Sequence, residues 1–182
     1  MLIHTLGPEA TDSYQAAAYY IEETACDGQI CLHACFDEII NHLDNYRGDY
    51  LIIPAAFKSN QAHCDWADFH YTYLDRLTLV TCFRHPLDPL ILIQRQNPVS
   101  SAAYTHPSTA ALLERYLLET GERLAICYTD SKYLAYARYI DTKARYVLTN
   151  QRNSHLSPQE KVVRRYTPDM VWCLYKIQNE NR

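Results

Sequence analysis

Residues 6–18 read LGPEATDSYQAAA, and residues 104–117 read YTHPSTAALLERYL. Both follow one plan: a short apolar run, a turn built from Pro and hydroxyl residues, then an amphipathic helical pattern. In the first, Leu2-Ile3 leads into Gly7-Pro8, Thr11 and Ser13, and Ala16, Ala17, Tyr20 and Ile21 recur at helical spacing. In the second, Ala102-Ala103-Tyr104 leads into His106-Pro107-Ser108-Thr109, and Leu112, Leu113, Tyr116 and Leu117 follow. A helix start presents N–H groups with no intrahelical acceptor and a partial positive charge, so it suits an anion. Two such starts in two halves of one chain predict a cleft for a small molecule carrying more than one carboxylate.

Outward from these stretches, strand-like runs alternate with helical patterns. Leu2–Leu6, Gln29–Leu32, Tyr50–Ile53, Leu77–Phe83, Leu90–Gln94, Ala102–Tyr104, Leu124–Cys127, Tyr146–Leu148 and Val171–Ile177 read as strands. Ser13–Glu23, Phe36–Leu43 and Ser108–Glu119 read as helices, the last stopped by Gly121. Asp130 or Ser131 caps a further helix whose apolar positions are Tyr133, Leu134, Ala137 and Ile140. Residues 55–72 lack periodicity and read as loop. The alternation predicts an α/β fold with mostly parallel sheets, in which ligands meet the carboxyl ends of strands.

The bulk composition narrows the function. The 182 residues suffice for one core or two small lobes, and 48% are hydrophobic, which marks a folded protein. A net charge of −4 carries no nucleic-acid footprint. No apolar run approaches the ~20 residues that a membrane span needs. Tyr supplies 16 residues against 2 Trp and 4 Phe, which fits a pocket or interface of rigid rings with polar tips. Seven Cys, an odd number, with Met1 running straight into a strand, predict reduced thiols and a cytoplasmic protein. Cys82, Cys127 and Cys173 lie in apolar runs and read as small core residues. The Cys31-Leu32-His33-Ala34-Cys35 run, with His63, Cys64 and His70, has soft ligands but no C-x-x-C pair or known knuckle spacing, so neither metal nor cofactor is expected.

The two opening stretches also carry a resemblance. The first resembles the LGPEGT-F-S-x-x-A-A opening of prephenate dehydratases, and the second is similar to their SHPQAL-x-Q-C segment, in the same order. The resemblance implies a two-lobed fold like type 2 periplasmic binding proteins. Lobe one would take about residues 1–80 plus 165–182 and lobe two about 85–160, with no ACT domain. It also implies prephenate as substrate and a homodimer. The departures are specific. Where dehydratases read P-I-E-N-S, this chain has Pro54-Ala55-Ala56-Phe57-Lys58-Ser59. Where they carry Thr-Arg-Phe, with the Thr assigned to proton donation, Thr167 is followed by Pro168. These losses, the Leu148-Thr149-Asn150 turn and the final Trp172-Cys173-Leu174-Tyr175 strand resemble the prephenate decarboxylases of bacilysin-type pathways. A cofactor-free carboxy-lyase is the function that this resemblance implies. A dehydratase with a displaced acid, and a non-catalytic binding module, are the alternatives.

The site residues follow from these readings. Thr11, Ser13, Ser108, Thr109, Thr129, Ser131 and Asn150 stand at strand ends or helix starts and are candidate carboxylate ligands; capping and turn formation are their structural alternatives. Arg84, after apolar Cys82-Phe83, is expected to hold a carboxylate in a bidentate fork. His106 is the candidate proton-transfer residue, with capping as its other reading.

Overall fold

The computed structural model describes residues 1–59 and 64–179. His63, one of the soft ligands considered above, lies outside them. The chain forms two compact units, Met1–Pro86 with the segment that begins at Asp169, and Leu87–Pro168. The first unit contains β1 (Leu2–Leu6), α1 (Asp12–Thr24), β2 (Gln29–His33), α2 (Phe36–Asn41), β3 (Tyr50–Pro54), α3 (Trp66–Thr72) and β4 (Leu77–Pro86). The second contains β5 (Leu90–Arg95), β6 (Ser100–Thr105), α4 (Ala110–Thr120), β7 (Ala125–Tyr128), α5 (Lys132–Thr142), β8 (Ala144–Asn150) and β9 (Glu160–Tyr166). The chain then returns to the first unit as β10 (Asp169–Ile177).

Each unit holds one five-stranded sheet, ordered β2-β1-β3-β10-β4 and β7-β6-β8-β5-β9. The two orders are the same topology. In each, a βαβαβ run supplies three parallel strands, and two antiparallel strands complete the sheet. The shared plan of the two quoted stretches is thus the start of one architecture built twice. Parallel and antiparallel pairings are equal in number, so the sheets are mixed rather than mostly parallel.

The sequence explains the layering in the second unit. Leu90, Leu92, Ala103, Tyr146 and Leu148 pack with Leu113, Tyr116 and Leu117 of α4 on one face. Ile91, Ile93, Ala102, Ala144 and Val147 pack with Ala135 and Tyr139 of α5 on the other. Strand β5 is therefore apolar on both sides, and its four buried aliphatics contribute about 1.5–3 kcal/mol each. Gly121 ends α4 in the left-handed region (φ 70°), and the Glu122 N–H donates to the Leu117 carbonyl at 3.0 Å.

Four readings change. Helix α5 packs through Ala135 and Tyr139, while Tyr133, Leu134 and Ile140 are exposed. The line Ser131-Ala135-Tyr139, spaced by four, is the face that meets the sheet. Strand β9 was not expected, because an edge strand reading EKVVRRY carries the charges that protect an unpaired edge. Residues 55–72 contain α3, whose capping box uses Asp65 and Asp68. Cys173 is buried and Cys127, half-buried, packs against the second unit's core, but Cys82 is exposed and is not a core residue. All seven cysteines are free thiols.

Candidate functional site

Strands β7, β6 and β8 lie side by side and run parallel, so their carboxyl ends open at one edge of the second sheet. The turns at those ends carry His106–Thr109, Thr129–Ser131 and Thr149–Asn150. Two hydrogen bonds knit them together. The Thr129 N–H donates to the Thr105 carbonyl (3.1 Å), and the Thr149 hydroxyl donates to the Lys132 carbonyl (2.7 Å). The structure thus brings His106, Ser108, Thr109, Thr129, Ser131 and Asn150 to one end of one sheet.

Most of the hydroxyls there are committed to building the turns. Ser131 caps α5 by accepting from the Leu134 N–H at 3.1 Å. Thr129 donates to the Ser131 carbonyl at 2.9 Å. Thr109 lies 2.8 Å from the Thr105 hydroxyl and donates to the His106 carbonyl at 3.0 Å. The anion-attracting field of this edge therefore comes from the helix starts themselves. Asn150 is buried at the end of β8, with 1% of its surface exposed.

His106 caps the short 3-10 turn Pro107–Thr109. Its Nδ1 accepts from the Ser108 N–H (3.2 Å) and faces the Ser108 hydroxyl at 2.8 Å. An accepting Nδ1 places the ring proton on Nε2. Burial, aided by the nearby Lys132 ammonium, lowers the His106 pKa from its ordinary 6.5 to about 3. The imidazole is neutral at physiological pH and has no imidazolium proton to donate. Between the two readings of His106, the geometry favours the cap over the general acid.

Lys132 is a charged residue of this edge that the sequence reading passed over. It occupies the first position of α5, half-buried, close enough to His106 to bias its titration. A cation there opposes the helix dipole and costs a few tenths of a kcal/mol or more. That misfit was the signal available in the sequence: a Lys at a helix position where Asp or Glu is favoured.

The first unit offers a weaker site. Thr11 caps α1, donating to the Leu6 carbonyl at 2.8 Å and accepting from the Tyr14 N–H at 3.2 Å. Asp12 and Ser13 are buried in the first turn. The Asp12 carboxylate already sits where an external anion would enjoy the dipole. Arg84 does not meet the expectation of a buried guanidinium. Its side chain is 75% exposed and pairs with Asp169 at 3.1 Å across β4 and β10. The arginine near the interior is Arg95, held by the fully buried Glu160 at 2.7 Å and stacked over the Tyr139 ring. Ala55 and Ala56 follow β3 as exposed apolar residues, and Thr167 is exposed between β9 and β10.

No protein-family profile matches the sequence. No curated protein matches it either. Solved structures do. The chain is similar to a prephenate dehydratase from Arthrobacter aurescens in complex with L-Phe, at 13% identity and a TM-score of 0.59 over 99% of this chain and 61% of that one. A prephenate dehydratase from Staphylococcus aureus gives 13% and 0.57 over 99% and 67%. The periplasmic VFT2 domain of BvgS from Bordetella pertussis gives 14% and 0.56 over 97% and 80%. The chain thus spans about three fifths of the length of the first of these. Among the described residues, no helix is long and apolar enough to cross a membrane. The fold is that of the prephenate dehydratases and of periplasmic-binding-protein-like domains.

Proposed function

We propose that the chain binds prephenate and removes its ring carboxylate without aromatising the ring. The observation that carries this is the use of His106 as a cap, its Nδ1 accepting from the Ser108 N–H at 3.2 Å, at the sheet edge where α5 starts with Lys132. An ammonium and two helix starts attract a carboxylate, while the imidazole of His106, held neutral with its Nδ1 engaged by the Ser108 turn, has no imidazolium proton for a leaving hydroxyl. Loss of CO2 breaks the bond between ring and carboxylate. The electron pair moves through the diene to a ring carbon, which takes a proton from solvent or protein. The hydroxyl stays, and the product is a dihydro-4-hydroxyphenylpyruvate. In a dehydratase the same electrons expel water once an acid protonates that hydroxyl, and general acids are worth about 10²–10⁴-fold. Ala55-Ala56 and Thr167-Pro168, standing where the resemblance would supply Glu-Asn and Thr-Arg-Phe, support the same reading.

The reaction is cofactor-independent in this reading, and the assembly is a cytoplasmic homodimer, checked by light scattering. Lys132 takes the carboxylate-binding role first given to Arg84. Incubation with prephenate tests the proposal: CO2 release with a product that keeps its hydroxyl supports it, and phenylpyruvate as main product overturns it. A second reading, a non-catalytic binding module, is favoured by the commitment of the turn hydroxyls to local structure. Saturable binding with prephenate recovered unchanged would select it.

A further inference from the structure

We propose that His4, Cys31 and His33 form a transition-metal site of the zinc class in the first unit. The three side chains come together through the register of β1 and β2. His4 is the direct parallel partner of Cys31, and His33 pairs with Leu6, two residues further along both strands. Period-two alternation puts all of them on one face. One ligand atom from each lies within 4.8 Å of the others, and both imidazoles are buried.

The orientation of the two rings is the stronger observation. Their inner nitrogens converge, with His4 Nδ1 2.9 Å from His33 Nε2. Their outer nitrogens both face carboxylates: His4 Nε2 lies 3.2 Å from Asp49 Oδ2, and His33 Nδ1 3.7 Å from Glu38 Oε1. A carboxylate on the far nitrogen of a ligating His fixes its tautomer and raises its basicity, the usual outer shell of a protein metal site. Without a metal, two buried imidazoles have one proton to share along the inner contact. Tetrahedral zinc with N–metal bonds of about 2.0–2.1 Å needs the nitrogens roughly 3.3–3.4 Å apart, a shift of a few tenths of an ångström. The Tyr46 ring, 4.1 Å from that of His4 and 5.4 Å from that of His33, packs against both imidazoles.

The donor set selects the metal. Two imidazoles and a thiolate favour zinc, cobalt or copper over magnesium or calcium. Three protein ligands leave a fourth position for water or an added anion. Cys31 is half-buried, which provides the entry path. The Cys31-x-His33 spacing alone matches no known zinc pattern. The ligand that completes it comes from the neighbouring strand, where no local motif would reveal it.

The test is titration of the reduced, metal-free full chain with Co²⁺, read by absorption, followed by displacement with Zn²⁺. A one-to-one complex with a thiolate-to-cobalt charge-transfer band and tetrahedral visible bands is expected. Cys31→Ser should abolish the charge-transfer band, and Cys35→Ser should retain it. Asp49→Asn, which leaves all three ligands in place, should weaken affinity about 10–100-fold. That variant keeps the test decisive if Cys31→Ser fails to fold. Absence of a stoichiometric thiolate band in the parent protein would overturn the site, as would an unchanged affinity in both Cys31→Ser and Asp49→Asn.

Discussion

Replacing His106 by Asn separates its two possible roles. Asn is itself a good cap, so the Pro107–Thr109 turn keeps an acceptor for the Ser108 N–H, and stability at pH 7.5 should change by less than about 1 kcal/mol. The pH dependence should change far more. The folded protein holds His106 near pKa 3, against 6.5 for the free side chain. The unfolded chain therefore binds a proton that the folded chain does not, and stability falls as the pH drops below 6.5. The loss approaches about 1.4 kcal/mol per pH unit until the folded pKa is reached. From pH 7.5 to 5.0 that integrates to about 2 kcal/mol, and solvent at the half-buried ring brings it to between about 1 and 2. Urea unfolding of parent and variant at pH 7.5, 6.5 and 5.0 reads this difference directly. His4, which burial also holds below its ordinary value, titrates alike in both proteins and cancels. Parallel stability curves for the two proteins would refute a neutral His106. If prephenate turnover then vanished in His106→Asn with stability intact, the imidazole would be restored as a proton carrier.

Three further perturbations bear on separate parts of the account. Lys132→Gln should weaken prephenate binding about tenfold or more, read by calorimetric titration; unchanged affinity would deny Lys132 its role. Glu160→Gln should cost about 3–5 kcal/mol in urea unfolding, because it strands the Arg95 guanidinium beside a fully buried partner. Arg84→Gln should change stability by less than about 1 kcal/mol, as expected of an exposed pair with Asp169; a larger loss would mean that the arginine is engaged in the fold.

What the sequence made legible was local. Thr11 and Ser131 act as caps, Gly121 stops its helix, and Phe36, Ile39, Ile40 and Leu43 line one face, because each depends on neighbours within a turn or two. What it hid depended on distant partners. Two faces of α5 have helical spacing, and only the sheet decides that Ala135 and Tyr139 go inward. Strand β9 carries the charge of an exposed edge, which erases the strand pattern. The hydroxyls stand at strand ends and helix starts, where they serve mostly to build the turns. Lys132, to which the proposed function gives a carboxylate, sits where helix chemistry disfavours a cation. His4 reads as one residue of a short strand until the register sets it against Cys31 and His33.

The most direct measurement of the central claim is a carbon-13 NMR time course of prephenate with the purified chain in buffered water. The account predicts that the ring carboxylate signal is lost to bicarbonate and CO2 while the carbinol carbon keeps its sp³ shift. Appearance of a monosubstituted aromatic ring in place of that carbinol signal would contradict it.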